Sequence, residues 1–534
     1  MVAPYTPKTT VPPPPAFSQA APVPIHDPDF IRAHYPSYLQ LKLVQIVHRH
    51  GERTPERRRF ASAVPTVWNL CHHGNKYHRQ FMEALHRYSD RDSGKTAPGG
   101  GLNRRTDREQ QNTEVLSTPA HEKDSQDNYL PGQYYQTVFD SPAQLARRER
   151  NLQKLAAAAP SSTSETLTPD SCAYGQLTDV GRETLFRLGT SLRSIYVDQL
   201  GFLPAVPNRT SEYYLRCTGY TRTFESLHQL LSGLYPAFKS PALMAASLLS
   251  KQAPSATEPT NSPQLPFNIN VRAPSLENLY GDHSCTRYFE LSRLALARVY
   301  GGMHAEWNHF LTTQIYPSAI GPEVKTYQER HPNRLNTHWL YDTLMALRAH
   351  NLPLPTGITD ANLNEIERLT VQEWTESMKD SIPLLRLTSG RFINELVTQM
   401  LDKVKAQADP LHVGHRLAQE RPYDPNHLKL SVYSAHDSSI LPLLTILDPQ
   451  GKEWPSYGAN VTLELFQDPH LAPSQLETLD PSVPSPREVS PAGSSLPLAN
   501  KADVEVRELD LPRDQYANYF VRVRYNNRFL TLPE

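Results

Sequence analysis

The sequence predicts an α/β fold: a central, mostly parallel sheet flanked by helices, interrupted by a mainly helical inserted cap. Three observations predict it. Short apolar runs near residues 43–47, 212–217 and 428–434 break off into charged or glycine-containing clusters, as buried central strands do. Helical patterns begin soon after the second run, at residues 221–234, giving β–α alternation. Between about residues 285 and 407 helical periodicity dominates, so a helical unit is inserted between core strands.

The elements justify themselves in order. Residues 1–37 read as a Pro-rich disordered tail, with prolines at 12–15 favouring polyproline II. One domain then spans 38–534, with core segments at about 38–60, 172–245 and 425–534. Cap and insertions occupy about 61–171 and 246–424. Leu43-Val44-Gln45-Ile46-Val47 is the first strand, and His48-Arg49-His50-Gly51 follows it. In open α/β sheets ligands bind at the carboxyl ends of strands, which places this cluster at the expected site. Residues from about 90 to 168 are polar and punctuated by Gly99-Gly100-Gly101, and read as an insertion. Thr178 offers an N-cap to a helix carrying Val180, Leu185, Leu188, Leu192 and Ile195. Glu212 to Cys217 is a second strand, and Thr221 to Leu234 the helix after it. Residues 251–266 form a Pro/Ser-rich break. Phe392, Ile393, Leu396, Val397, Met400, Leu401 and Val404 keep one helical face apolar. Leu428 to Ser434 alternates as a strand and runs into Ala435-His436-Asp437. Val461 to Phe466 and Tyr519 to Tyr525 read as a closing strand pair, with a disordered loop at about 468–503 between them.

Bulk properties exclude several classes. Lys and Arg number 54 against 55 Asp and Glu, so nothing in the charge points to nucleic acid or an anionic membrane as the main partner. No stretch approaches the ~20 apolar residues of a transmembrane segment. The start, Met1-Val2-Ala3-Pro4-Tyr5, shows no secretory signal. Four cysteines in 534 residues are too few for a disulfide framework, and free thiols in a reducing compartment are expected. The expected location is therefore intracellular, and the sequons at Asn208 and Asn460 read as chance matches.

The strongest chemical signal is Arg49-His50-Gly51-Glu52-Arg53-Thr54-Pro55. The pattern Arg-His-Gly-x-Arg-x-Pro would arise by chance in roughly one chain in several thousand at average residue usage. A neutral imidazole is a competent nucleophile. Arg49 and Arg53 flank it with planar charged forks that match phosphate oxygens, and their charge disfavours protonation of His50. Gly51 lets the backbone turn sharply and approach a ligand closely. Cys71-His72-His73 with His78 holds metal-ligand types, but the spacing fits no standard zinc pattern, so no metal and no cofactor is expected. Arg57-Arg58-Arg59 is either a solvated face or a local attractant for anionic substrates.

This segment resembles the signature of the histidine acid phosphatases, a branch of the histidine phosphatase superfamily. Gly175-Gln176-Leu177-Thr178 with Gly181, Tyr214-Leu215-Arg216-Cys217-Thr218, Arg222-Thr223, Leu387-Thr388-Ser389-Gly390 with Asn394-Glu395, and Ser434-Ala435-His436-Asp437 extend the resemblance from about residue 41 to the C-terminus. It implies a phosphoglycerate mutase-like core and phosphate monoesters as substrates. It also implies roles: His50 attacks phosphorus; Arg49, Arg53, Arg216 and His436 hold the phosphoryl oxygens; Asp437 protonates the leaving oxygen and then helps activate water. Such a site neutralises charge with arginines and splits the reaction at a phosphohistidine. Cys217 stands where the family often has Ser, and it reads as a small buried residue. Val67-Trp68-Asn69, Leu227 to Pro236 and Trp454-Pro455 resemble the lysophosphatidic acid phosphatase type 6 branch. That resemblance implies a lysophospholipid substrate and a mitochondrial location, so the expected intracellular residence is cytoplasmic or mitochondrial. A phosphotransferase or mutase using the same phosphohistidine, and a catalytically idle binding module, are the alternatives.

Overall fold

The computed structural model describes residues 28–76, 168–236, 267–447, 453–471 and 516–530, apart from isolated positions at 208, 268, 274, 282, 283 and 380. The expected insertion at 90–168, most of the tail at 1–27, the break at 251–266 and most of the loop at 468–503 lie outside the described residues.

Helix α1 (Pro28–His34) leads into β1 (Gln40–Arg49). Then come α2 (Asp179–Arg193), β2 (Tyr213–Cys217), α3 (Thr221–Leu234) and β3 (Ile269–Val271). The cap supplies α4 (Thr286–Phe310), α5 (Gly321–Arg330), α6 (Thr337–Ala349) and α7 (Asp360–Lys379), and α8 (Arg391–Ala408) returns to the core. β4 (Leu430–Ala435), α9 (Asp437–Leu447), β5 (Asn460–Gln467), β6 (Tyr519–Tyr525) and β7 (Arg528–Phe529) complete it.

The strands form one sheet in the order β3-β2-β4-β1-β5-β6-β7. β3, β2, β4 and β1 are parallel, and β5 to β7 are antiparallel. The two-residue period of a strand explains why β1 shows no polar face. Val44 and Ile46 enter a core with Leu185, Leu192, Phe224 and Leu231 of α2 and α3. Leu43 and Val47 enter the opposite core with Phe392, Leu396, Ile440 and Leu443 of α8 and α9. Both faces of the sheet are thus covered by helices. The cap has its own core around Trp307, Leu344, Leu347, Leu363 and Ile366, which Phe60, Trp68, Leu441 and Trp454 join from the sheet side. Thr178 caps α2 as its position predicts, accepting from the Gly181 amide.

Three features depart from the sequence reading. Cys71 and Cys172 form a disulfide, so the expectation of four free thiols is corrected; Cys217 and Cys285 are the free cysteines. The pairing follows from a backbone bridge between Trp68 and Cys172, whose amide donates to the Trp68 carbonyl at 2.7 Å. That bridge brings the two cysteine Cα atoms to 5.3 Å, within reach of a disulfide. Order also begins earlier than residue 38. The Tyr35 hydroxyl donates to Glu464 at 2.6 Å, Arg522 donates to the His34 carbonyl, and the His34 ring stacks on Phe529 at 4.6 Å. These contacts tie α1 to β5, β6 and β7. Finally, β3 extends the parallel sheet beyond β2. At three residues it is too short for a periodicity argument.

Candidate active site

Parallel register sets the site. Arg49 pairs with Ala435 and Cys217 with Ser434, so β1, β4 and β2 end side by side. Just past those ends lie His50, His436 and Thr218. The His50 amide donates to the Ala435 carbonyl at 3.0 Å, and the His50 carbonyl accepts from the Gly458 amide at 3.1 Å. The loop continuing from His50 is backed by the segment ahead of α2. The Thr54 amide donates to the Gln176 carbonyl at 3.1 Å, the Thr178 amide to the Glu52 carbonyl at 3.0 Å, and Arg53 bridges Leu177. Gly51 and Gly181 are where the loop crosses α2. A Cβ on Gly51 would stand 2.2 Å from the Gly181 carbonyl oxygen, and one on Gly181 as close to that of Glu52. The close approach made possible by Gly51 is thus to a neighbouring helix.

His50 is 1% exposed, and its Nδ1 lies 2.8 Å from the Gly51 carbonyl oxygen. A carbonyl only accepts, so Nδ1 carries the proton and the Nε2 lone pair is available. Burial, and then the charges of Arg222, Arg53 and Arg49, hold its pKa well below the ordinary histidine value. His50 is thereby kept neutral, the state a nucleophile needs.

The structure brings Arg49, Arg53, His436 and Asp437 together around His50 and leaves Arg216 outside. Arg53 is fixed by Asp342, with Nη1 to Oδ1 at 2.8 Å, and Asp342 Oδ2 accepts from Arg59 at 2.7 Å. Arg49 Nη2 lies 2.6 Å from Asp437 Oδ2. Arg216 is fully buried, ion-paired to Glu277 and Glu395 and hydrogen-bonded to Asn278. It does not line the cleft. Arg222, in the first turn of α3, does. Its guanidinium lies over the Tyr220 ring at 4.5 Å and pairs with Glu56 at 3.2 Å. Burial and the neighbouring Arg53 lower its pKa to about 10. The sequence signal for Arg222 was its place at the start of the helix that follows β2, where a side chain overhangs the strand ends. Strand residue Arg216 instead meets the carboxylates of Glu395 in α8 and Glu277 in the loop between β3 and α4.

His436 is positioned by a proton inventory. The Thr223 hydroxyl donates to the Tyr220 carbonyl at 2.8 Å, so it accepts from Thr218, whose oxygen is 3.0 Å away. Thr218 Oγ1 therefore accepts from His436 Nε2 at 2.8 Å. That leaves Nδ1 of His436 as the ring's other polar atom. Burial and Arg222 lower the His436 pKa well below the usual value. For Asp437 burial acts upward, but Arg49 outweighs it, and the carboxyl is held at about 2.

His50, Arg53, Arg222, His436 and Asp437 line a cleft of about 520 Å³. Its remaining walls are mostly aromatic and apolar: Tyr220, Tyr280, Tyr288, Leu296, Trp339, Trp374, Met378, Leu384 and Pro442. Among the described residues Arg53 and Arg222 are the only arginines or lysines lining it, and Glu56 and Glu373 line it too. Glu373 accepts from the Thr337 amide and hydroxyl, and burial raises its pKa. Among the described residues no group of three or more His, Cys, Asp or Glu side chains could hold a metal ion. Of the Cys71-His72-His73 cluster, Cys71 is disulfide-bonded and His72 pairs with Asp170 at 2.7 Å, while His78 lies outside the described residues.

Comparison with known proteins agrees with this geometry. Residues 40–526 match the profile of the histidine phosphatase superfamily (branch 2). A probable acid phosphatase of Schizosaccharomyces pombe is 28% identical over 460 residues, covering 85% of this chain and 78% of that protein. Human lysophosphatidic acid phosphatase type 6 is 24% identical over 313 residues, covering 57% of this chain and 59% of that protein. Lysosomal acid phosphatase of Xenopus laevis is 29% identical over 300 residues, covering 55% and 59%. The chain thus spans about three fifths of the latter two relatives. A buried imidazole among arginines at the ends of parallel strands, a profile matched along almost the whole chain and relatives named as acid phosphatases converge: the chain belongs to the histidine phosphatase superfamily, branch 2, as a histidine acid phosphatase, a phosphoric monoester hydrolase.

Proposed function

We propose that His50 and Asp437 hydrolyse a single phosphate monoester in two steps. The His50 Nε2 lone pair attacks phosphorus, the bond from phosphorus to the leaving oxygen breaks, and Asp437 gives that oxygen its proton. Asp437, now a carboxylate, takes a proton from water. The water oxygen attacks phosphorus, the P–N bond breaks, and inorganic phosphate leaves. Arg53, Arg222 and Arg49 hold the phosphoryl oxygens, with His436 donating from Nδ1 as an imidazolium once the dianion is present. The observation that carries this reading is the Nε2 lone pair of a buried neutral His50 beside Arg53, Arg222 and Asp437 in the cleft.

The cleft chemistry supports an apolar leaving group. The arginines are all committed to one phosphoryl group, and Glu56 and Glu373 on the cleft wall disfavour further phosphates. Aromatic and aliphatic walls favour an acyl or aryl portion. Lysophosphatidate fits that description, as the name of the human relative suggests. The near-neutral net charge favours a small molecule over nucleic acid. The disulfide and the lysosomal relative support folding in an oxidising compartment on the secretory route, in place of the reducing one expected from the sequence.

A hydrolysis panel tests the reading: lysophosphatidate, an aryl phosphate, a sugar phosphate and an inositol polyphosphate. kcat/KM is expected to be highest for the first two. Preference for the polyphosphate would reverse the substrate assignment. His50→Ala should lower turnover by at least about 10³-fold with the fold intact, and near-normal activity would remove the nucleophile.

A further inference from the structure

Arg49 and Asp437 engage each other. Asp437 lines the cleft, and its Oδ2 lies 2.6 Å from Arg49 Nη2. The guanidinium that is to bind the phosphoryl group is engaged by the acid, and the acid is ionised against it.

Their contact is built to open. At 2.6 Å it is a close ion pair, yet Asp437 Oδ2 receives no aligned hydrogen bond. Asp437 Oδ1 is held separately by the Ser438 amide at 2.8 Å. Arg49 also keeps its place without Asp437: Nη1 donates to the Pro455 carbonyl at 2.5 Å, and the guanidinium stacks over Tyr457 at 4.1 Å. Its Nε is buried with no acceptor. Donors that are buried and unsatisfied favour an incoming oxyanion.

We propose that Arg49 and Asp437 form a proton gate operated by the substrate: the phosphoryl group takes over the unused N–H groups of Arg49, the ion pair opens, and Asp437 takes up one proton from solvent. This rests on the phosphohistidine reading and adds when the acid becomes loaded. The proton gained is the one Asp437 later gives to the leaving oxygen; the proton it then takes from water returns to solvent as phosphate leaves and the Arg49 pair re-forms, so charge and atoms balance over the cycle. The other groups facing Asp437 are Arg53 and Tyr457 from the flanking loops, His338 of α6, the adjacent His436, and Arg222 of α3. A tetrahedral dianion offsets the arginine charges together, which removes the main force keeping the carboxyl ionised. The low pKa of Asp437 beside Arg49 is consistent with this arrangement.

The experiment uses the full chain and sulfate, a tetrahedral dianion that cannot be hydrolysed here and stays ionised at pH 5.5. Infrared difference spectra are recorded with and without sulfate, with side-chain ¹³C-labelled aspartate to assign the carboxyl band. Calorimetric titration in two buffers of different ionisation enthalpy counts the protons taken up. Sulfate should produce a protonated-carboxyl band that shifts with the label, and uptake should exceed that of Asp437→Asn by close to one proton. The remaining uptake in Asp437→Asn belongs to His436. An unchanged carboxyl band, equal uptake in the two proteins, or no sulfate binding overturns the gate. The labelled spectrum of the unmutated protein decides the matter even if Asp437→Asn fails to fold. Trapping phosphate on His50 by acid quench is a separate readout, so a failed gate leaves the nucleophile reading distinguishable.

Discussion

Asp342→Asn isolates the cost of positioning a phosphate-binding arginine. Asp342 has 2% of its side chain exposed, and one carboxylate serves Arg53, Arg59 and the Glu56 amide. Arg53 itself is 3% exposed, so removing its partner leaves a guanidinium that only the cleft can hydrate. Breaking a buried pair from one side costs about 3–5 kcal/mol. The asparagine oxygen can still accept one N–H, and Glu56 remains 3.5 Å from Arg53, so about 3 kcal/mol is expected. The pH dependence has a defined sign. Burial pushes the Asp342 carboxyl up, but Arg53 and Arg59 outweigh it and hold it well below the usual carboxylate range. A depressed folded-state pKa stabilises the protein fully above the unfolded value of about 3.9, and that contribution is lost as pH falls below it. Urea unfolding of both proteins at pH 6, 5 and 3.5 should give a gap that is equal at the first two and smaller at the third. kcat/KM should fall by roughly 10- to 100-fold, because a misplaced fork loses about 1.4–2.7 kcal/mol of transition-state stabilisation. A gap under about 1 kcal/mol at pH 6, or one that widens on acidification, would refute the reasoning.

Two further comparisons follow from the same structure. Arg222→Met should cut kcat/KM by about 10²–10³-fold with little change in stability, whereas Arg216→Met should mainly destabilise, by leaving buried Glu277 without its cation while Glu395 keeps Arg272. Thermal unfolding beside kinetics separates them, and an Arg216→Met protein of normal stability but no activity would reverse the two assignments. Replacing Cys71 and Cys172 by Ala releases a loop of sequence separation 101, worth up to about 4.7 kcal/mol by chain entropy. The unfolding midpoint should drop clearly, and equal midpoints would show that the bridge contributes nothing.

The legible parts of this chain were those written locally. A short apolar run at residues 43–47 and an alternating run at 428–434 are local strand signals; their strands lie within a residue or two of expectation at one end or both. Thr178 as N-cap and Thr221–Leu234 as a helix needed only neighbouring residues. His50, Arg53, His436 and Asp437 sit at strand ends or in the turns that follow them, and strand-end position is itself a local property.

Contacts between distant segments were decided otherwise. The choice between Arg216 and Arg222 depended on where Glu277 and Glu395 arrive, 61 and 179 residues from Arg216. α1 contains no buried residue and is held in place by Glu464, Arg522 and Phe529, all at the far end of the chain. The Cys71–Cys172 bridge needed the Trp68–Cys172 register, and the pairing of Arg49 with Asp437 needed β1 beside β4. The sequence by itself therefore determined the strands, the helix caps and the reactive imidazole, because backbone propensity and hydrophobic period act over a few residues. Only the tertiary structure decided which charges meet, since a buried ion must find its partner in space, whatever the distance along the chain.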